Sequence, residues 1–177
     1  DYVQRVVMKA IKNDIAIVAM HTNLDSAKGG VNYKIAEKMG LKELEWMGSQ
    51  QNVGGIDGGE GVIGTLSEAM AADDFVLMLK KVFGVECVMA NELIRRKISR
   101  VALCGGAGDF LLQDAFITGE MHYHQYFGHE QEIQIAVIGH YQSEQFTIEL
   151  LKEIIERDCP GVKCTMTETN TNPIIYL

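Results

Sequence analysis

The stretch IQIAVIGHYQSEQFTIELLKEII, residues 133–155, decides the expected fold. Its apolar run from Ile133 to Ile138 is short and continuous, which predicts a buried strand. The amphipathic run from Phe146 to Ile155 predicts a helix. The polar segment between them carries His140 and Glu144, which are four residues apart and share one face if the helix begins early. A strand that leads directly into a helix is typical of α/β proteins.

Strands and helices alternate along the rest of the chain, without an internal repeat. Helices are predicted for Tyr2 to Ile11, Asn32 to Met39, Ala72 to Phe83, and a polar segment with His122 and His124. Strands are predicted for Ile15 to Met20, Val85 to Met89, Ser99 to Cys104, a segment ending at Phe116-Ile117, and a half-exposed one from Val162 to Met166. This alternation predicts a layered α/β fold, with a mainly parallel sheet flanked by helices on both faces.

Length and composition limit the possible classes of protein. The 177 residues fit a single α/β domain, 1–177, and 47% hydrophobic with 23% charged residues is typical of a globular protein. A net charge of −8 argues against a nucleic-acid surface. No apolar run has the length of a membrane span, and no signal-peptide pattern is present. Four cysteines without C-x-x-C spacing indicate a reducing, cytoplasmic environment.

Glycine is dense between Gly48 and Gly64. We interpret this stretch as a flexible loop and as the place where a linker or an insertion would lie. A phosphate-binding loop of the Walker type is excluded, because no Gly-Lys-Ser or Gly-Lys-Thr follows.

Polar side chains follow the predicted strands at four places: His21 with Asp25, the Gly105–Gly108 turn, Glu120 with His124, and His140 with Glu144. Each has a plain structural reading as a helix cap, a tight turn or a surface residue. In open α/β sheets, however, ligands bind at the carboxyl ends of the strands, so these groups are expected along one edge. Three His/carboxylate pairs at four-residue spacing therefore predict a metal site at that edge.

Imidazole and carboxylate together are a borderline ligand set. They suit zinc, iron, manganese, cobalt or nickel better than calcium or magnesium. An ion held in this way lowers the pKa of a bound water. The implied reaction is a metal-assisted hydrolysis.

Five groups of residues occur in an order that resembles a known family. They are His21-Thr-Asn-Leu-Asp25 with Gly-Gly-Val-Asn32, Gly61-Val-Ile-Gly64, Gly105-Gly-Ala-Gly108, Thr118-Gly-Glu120 with His124, and Gly139-His140-x-x-Ser-Glu144. Together they resemble the NGG-interacting-factor-three-like proteins, which are also described as GTP cyclohydrolase type-two homologs. The resemblance covers nearly the whole chain.

The resemblance implies a cytoplasmic protein with two divalent metal ions per subunit, assembled as a toroidal homohexamer of dimers. It implies that Asp25, His140 and Glu144 are metal ligands, with Glu144 as a possible bridge between the ions. It also implies that His21, Glu120 and His124 line the same cleft, with roles that stay open.

The chain departs from the family pattern in three respects. Family members carry an adjacent His-His pair upstream of the His21 motif, whereas this sequence begins after that point, so the metal site is expected to be incomplete here. The interval from Gly108 to Thr118 is shorter than the family pattern, which suggests a missing segment. The inserted domain that longer members carry near residues 48–64 is absent from this sequence.

Two functions stay open at this point. The first is a metal-dependent hydrolase that acts on a nucleotide or similar heterocycle by a metal-bound water, with a small-molecule substrate. The second is a non-catalytic metal-binding adaptor or regulatory protein. A nucleic-acid-binding regulator fits poorly with the net charge of −8.

Overall fold

The computed structural model describes residues 1–48, 50–107 and 113–175. Its helices are α1 (Tyr2–Lys12), α2 (Thr22–Asp25), α3 (Val31–Lys38), α4 (Ala72–Phe83), α5 (His140–Glu144) and α6 (Thr147–Asp158), with a 3-10 helix at Tyr123–Tyr126. Its strands are β1 (Lys42–Trp46), β2 (Gln51–Val53), β3 (Ile56–Gly58), β4 (Val62–Met70), β5 (Met89–Ala90), β6 (Ile98–Ala107), β7 (Ala115–Glu120) and β8 (Gln134–Val137).

Six of these strands form one mixed sheet in the order β1-β4-β6-β7-β8-β5. The central strands β6, β7 and β8 run parallel, whereas β1, β4 and β5 pair antiparallel with their neighbours. All four residues of β8 are buried, as expected for a short apolar run in the middle of a sheet. The carboxyl ends of β6, β7 and β8 therefore meet at one edge of the sheet.

The main core lies between the sheet and the helices α3, α4 and α6. Apolar side chains at helical spacing on α4, such as Phe75 and Leu79, are fully buried against it. A smaller cluster on alternate strand positions, including Ile63 and Phe116, covers the opposite face. The prediction of a layered α/β fold is confirmed, with a mixed sheet that is parallel at its centre and flanked by helices.

Several predicted elements are confirmed, and α4 has the predicted bounds. The buried strand predicted for Ile15 to Met20 is wrong, because that run is exposed and pairs with no strand in the part of the chain that the structure describes. The strand predicted for Val162 to Met166 is likewise wrong, since this segment is irregular and mostly exposed. An apolar or alternating run becomes a strand only where a neighbouring strand offers its hydrogen bonds.

Three further predictions are corrected in part. The strand predicted for Val85 to Met89 is reduced to β5, and the polar helix with His122 and His124 is a single 3-10 turn. The glycine-rich stretch 48–64 contains the hairpin of β2 and β3 rather than only loop. Of the predicted 105–108 turn, Gly105 to Ala107 extend β6, and Gly108 lies outside the described residues. Residues 109–112 of the interval that looked short also lie outside them.

Across residues 1–48, 50–107 and 113–175, no helix combines the length and the apolar character needed to cross a bilayer.

Candidate metal centre

His140 lies at the centre of a cluster of carboxylates. It is the first residue of α5, which follows β8 after Gly139 at a left-handed φ of 99°. Its Nε2 atom lies 3.4 Å from Oε1 of Glu144, one helical turn later. Its Nδ1 atom lies 3.0 Å from Oε1 of Glu120, at the carboxyl end of the neighbouring strand β7. The parallel pairing of β7 with β8 thus brings together two of the predicted pairs.

Asp25 reaches the same cluster from the short helix α2. The buried side chain of Asn32 holds this helix in place: its Nδ2 donates to the Asp25 carbonyl at 3.1 Å, and its Oδ1 accepts from the Gly105 amide at 2.8 Å. One amide side chain therefore ties the Asp25 loop to the end of β6. The imidazoles of His21 and His140 both act electrostatically on the carboxyl group of Asp25, in the direction that lowers its pKa.

Two glycines allow the strands to approach α5 closely. A Cβ atom on Gly119 would lie 2.7 Å from the Ser143 hydroxyl and 2.9 Å from the Cα of His140. A Cβ atom on Gly106 would lie 2.7 Å from Oε1 of Glu144. The Ser143 hydroxyl accepts from the Gly106 amide at 3.0 Å and donates to the His140 carbonyl at 2.7 Å. It thereby fixes the start of α5 against β6.

Burial and mutual proximity change the acidity of the carboxyl groups. Burial raises the pKa of Asp25, and the imidazoles of His21 and His140 act in the opposite direction. Burial also raises the pKa of Glu144; His140 opposes this shift, whereas the carboxylates of Asp25 and Glu120 add to it. Carboxylates that lie this close together in a half-buried place are stabilised when a cation lies between them.

The chemistry of this donor set fits a borderline divalent cation, since it offers imidazole nitrogen and carboxylate oxygen. The arrangement is not a ready-made ligand shell. In the described ranges, no three His, Cys, Asp or Glu side chains converge tightly enough to form one. Instead, both ring nitrogens of His140 are engaged by carboxylates. In metal sites one nitrogen of a histidine binds the ion while the other donates to a carboxylate. His140 would match this pattern if an ion replaced Glu144 as the partner of Nε2 while Glu120 stayed at Nδ1.

The structure thus brings five of the six candidate residues to one place. His140 contacts Glu120 and Glu144, and the charges of Asp25 and His21 act on this group. His124 does not join them. It lies exposed on the 3-10 helix, with its ring 5.3 Å from that of Tyr123. The sequence reasoning assigned no role to Asn32, Ser143, Gly106 or Gly119, although all four lie within the motifs that it singled out.

A cleft of about 470 Å³ opens beside the cluster. Ala107 and Gly119, at the ends of β6 and β7, form part of its wall, and Glu120 borders both the cleft and the cluster. His122, which was predicted on a polar helix and given no site role, also lines this cleft. The volume lies in the range of small-molecule sites.

The fold and site define an α/β protein with imidazole and carboxylate side chains gathered at the carboxyl edge of its parallel strands. The chain belongs to the DUF34/NIF3 (NGG1p interacting factor 3) family, whose sequence model matches residues 1–173. The family resemblance drawn from the motifs is therefore confirmed.

Relatives and solved structures agree with this membership. The chain is 27% identical to a GTP cyclohydrolase 1 type 2 homolog of Lactococcus lactis, over 96% of this chain and 67% of the relative. It is 26% identical to the homolog of the same name in Clostridium perfringens, over 98% of this chain and 69% of the relative. A Staphylococcus aureus hypothetical protein, SA1388, superposes with a TM-score of 0.83 at 24% identity, over 97% of this chain and 72% of that one. A Bacillus cereus protein related to NIF3 superposes with a TM-score of 0.76 at 22% identity, over 98% of this chain and 76% of that one.

Proposed function

We propose that this protein binds a divalent transition-metal ion at the His140 cluster and hydrolyses a nucleotide-like nitrogen heterocycle in the adjoining cleft. The observation that carries the proposal is the position of His140 between Glu120 and Glu144, at 3.0 Å and 3.4 Å, beside a cleft that Glu120 also lines. A pocket next to coupled titratable groups is the usual form of an active site.

Each side chain has a distinct part in this function. Asp25, His140 and Glu144 would hold the ion. Imidazole and carboxylate ligands suit zinc, iron, manganese, cobalt or nickel. Glu120 would accept a hydrogen bond from Nδ1 of His140, 3.0 Å away, and so orient the ring with Nε2 toward Glu144. When bound, such an ion supplies an acidified water and stabilises developing negative charge. On resemblance to the family, we extend the proposal to a second ion, with Glu144 as the bridge.

Proton transfer is assigned to Glu120. Its carboxylate borders the cleft and contacts His140, so it can exchange a proton with a molecule in the cleft and with the imidazole. The imidazole of His21 acts to lower the pKa of both Asp25 and Glu144, so it opposes the effect of burial on these carboxyl groups.

The names of the relatives suggest a substrate, and the family resemblance suggests an assembly. The Lactococcus and Clostridium proteins are called GTP cyclohydrolase 1 type 2 homologs, so GTP is the first substrate to test. We carry over the toroidal homohexamer of dimers from the same resemblance. The free cysteines among the described residues are compatible with the cytoplasmic location that we propose.

Metal binding is the first test, with two matched histidine variants. His140→Ala removes the central ligand, and we expect the affinity for Zn²⁺ or Mn²⁺ to fall by more than about 100-fold, the upper cost of losing a supporting partner alone. His124→Ala, which lies outside the cluster, should bind the ion as the unchanged protein does. Isothermal titration after chelator treatment gives both affinities, and circular dichroism checks the fold. Equal affinities in the two variants would rule out this centre.

Turnover is the second test. Metal-loaded protein is incubated with GTP, and released formate is measured, with His140→Ala and His124→Ala as before. Formate release that disappears only in His140→Ala supports the hydrolase. Tight metal binding without turnover of GTP or of other heterocycles would instead favour the metal-binding adaptor.

A further inference from the structure

The end of β6 departs from regular strand geometry beside the His140 cluster. Its register against β7 shifts, because β6 advances three residues, from 104 to 107, while β7 advances two, from 118 to 120. Gly106, inside this bulge, has a left-handed φ of 68°. A bulge takes backbone groups of the longer strand out of the regular ladder, and bulges are frequent next to active sites. Such groups can bind side chains.

Two successive amides of the bulge each donate to a buried side chain. The Gly105 amide donates to Oδ1 of Asn32 at 2.8 Å, and the Gly106 amide donates to the Ser143 hydroxyl at 3.0 Å. Asn32 and Ser143 are each only 1% exposed. Removing either acceptor would leave a buried amide without this partner, which is costly, so both bonds define fixed positions.

The same two side chains hold the segments that carry the proposed ligands. Nδ2 of Asn32 donates to the carbonyl of Asp25, at the end of α2, at 3.1 Å. The Ser143 hydroxyl donates to the carbonyl of His140, at the start of α5, at 2.7 Å. Helices α2 and α5 are thus connected to neighbouring peptide units of one strand.

We propose that Asn32 and Ser143 are a pair of positioning residues that fix the distance between Asp25 and His140 through the β6 bulge. The inference rests on the proposed metal centre and extends it, because two side chains that are not ligands determine the metal affinity together. Binding of an ion by both Asp25 and His140 depends on this distance, which the two connections set in series. Breaking either connection releases the distance, and breaking the second then changes little more.

Other hydrogen bonds keep each segment folded without setting this distance. The carbonyl of Ser26, next to Asp25, accepts from the Gly59 amide at 3.1 Å, beside the separate β2–β3 hairpin. The Ser143 amide donates to the Gly139 carbonyl at 2.9 Å in the first turn of α5. Loss of either positioning side chain should therefore leave both segments formed but free to shift relative to each other.

A double-mutant cycle on Zn²⁺ affinity tests the pair. Asn32→Ala and Ser143→Ala should each weaken Zn²⁺ binding by about 10- to 100-fold, the usual effect of losing a supporting partner. The double variant should bind no more than about 2-fold more weakly than the weaker single variant, whereas independent effects would multiply. Isothermal titration after chelator treatment gives the affinities.

The absorption spectrum of bound Co²⁺ separates positioning from a general loss of stability. Its bands depend on the number and geometry of the ligands, so a changed distance between Asp25 and His140 shifts or weakens them. We expect altered spectra in Asn32→Ala and Ser143→Ala at saturating Co²⁺.

Asn91→Ala is the matched control, because Asn91 makes the same kind of contacts elsewhere. Its Nδ2 donates to the Ile133 carbonyl at 2.8 Å and its Oδ1 accepts from the Ile135 amide at 2.9 Å, at the opposite end of β8 from His140. It should lower the thermal stability but leave the Zn²⁺ affinity and the Co²⁺ spectrum unchanged. An equal loss of affinity in Asn91→Ala would overturn the inference. If Asn32→Ala does not fold, Asn32→Ser, whose hydroxyl is too short to replace both bonds, takes its place.

The results also separate this inference from the proposed function. If His140→Ala loses Zn²⁺ affinity while Asn32→Ala and Ser143→Ala keep it, the pair is refuted and the metal centre stands. Multiplied effects in the double variant, or unaltered Co²⁺ spectra, refute the pair in the same way. If His140→Ala itself keeps the affinity, the centre fails and the inference with it. The expected non-additivity without any turnover supports the pair and overturns only the hydrolase.

Discussion

Residues 15–25 and residues 133–144 have nearly the same sequence pattern but different surroundings in the fold. Each has an apolar run that leads to a histidine and a carboxylate four residues apart, His21 with Asp25 and His140 with Glu144. The later run forms β8 and is buried on both faces. The earlier run forms no regular element and is exposed, with Val18 83% exposed.

The difference lies in what each run can pair with. β8 pairs with β7 in parallel register, and the amide of Ile138 donates to the carbonyl of Thr118 at 3.0 Å. Residues 15–20 have no such partner in the described part of the chain. Asp25 is nevertheless in place, because Asn32 links its carbonyl to Gly105. A site residue can thus be held in place by one pair of hydrogen bonds to the sheet, even where the run that precedes it does not pair as a strand.

The largest effect is expected when an aspartate is placed in each of the two apolar runs, residues 133–138 and 15–20. Ile135→Asp puts a carboxylate at a fully buried position of β8, and we expect it to cost more than about 4 kcal/mol of unfolding free energy or to prevent folding. Val18→Asp places the same group in solvent and should change stability by less than about 0.5 kcal/mol. Urea unfolding followed by circular dichroism measures both.

A large loss of stability in Val18→Asp would contradict the exposed state of residues 15–20 in solution. Sedimentation of the same variant then separates two causes. A change in oligomeric state would show that another copy covers the run, and an unchanged state would show that the chain itself buries it.

The comparison also explains how far the sequence predicted the fold. Patterns that are satisfied locally were read correctly, as for α4, whose apolar face and acidic first turn define a helix without further information. Whether residues 15–20 form a strand depends on a partner strand elsewhere in the fold. The sequence of the run itself does not show whether such a partner exists. The antiparallel edge strand β1 was missed because Lys42–Trp46 carries charges, as edge strands commonly do.

For the site, the sequence predicted which residue types would meet but not how they pair. His140 contacts Glu120 as well as Glu144, because β7 and β8 are neighbours, and the adjacency of strands cannot be derived from spacing along the chain. The four-residue spacing of Glu120 and His124 does not bring their side chains together, because Glu120 ends strand β7 whereas His124 lies on the following 3-10 helix, so the two do not share a helix face. The supporting roles of Asn32 and Ser143 depend on distances across the fold that no sequence pattern shows.

The next prediction compares an alanine substitution at one glycine near each His/carboxylate pair. Gly29 and Gly106 both have left-handed φ angles, +74° and +68°. Alanine at either position costs about 1 kcal/mol or somewhat more in backbone strain. At Gly29 nothing lies within 4 Å of the new Cβ, whereas at Gly106 Oε1 of Glu144 lies at 2.7 Å. Because that oxygen ends a flexible side chain, it can move, and the site is disturbed more than the fold.

We therefore expect similar losses of stability in Gly29→Ala and Gly106→Ala, but a loss of metal affinity of about 10-fold only in Gly106→Ala. Thermal unfolding and zinc titration of both variants provide the measurements. Equal metal affinities would mean that Glu144 does not hold the ion, and a much larger stability loss in Gly106→Ala would mean that Glu144 is rigidly packed.

The smallest effect concerns Asp114, which holds β7 in place. β7 is the pairing partner of β8, and residues 15–20 have no such partner among the described residues. Asp114 precedes β7, and its Oδ2 atom accepts from the backbone amides of Ser99 and Arg100, both at 3.0 Å, while Oδ1 contacts the Arg96 guanidinium. Burial by itself would raise the pKa of Asp114, but these hydrogen bonds and the charge of Arg96 outweigh it, so the pKa is lowered. The ionised form is therefore the one that stabilises the folded state.

Asp114→Asn should lower the unfolding free energy by about 1 kcal/mol at pH 7, less than a buried charged hydrogen bond contributes, because solvent screens this half-buried group. A lowered folded-state pKa gives stability that is present above the unfolded value of about 3.9 and is lost as the pH falls through the folded value. The difference between the variant and the unchanged protein should therefore shrink as the pH falls below about 4. Asp158→Asn, whose carboxylate also pairs with an arginine but is exposed, is the control and should show no measurable change at either pH. A difference for Asp114→Asn that persists at acidic pH would show that shape rather than charge anchors β7.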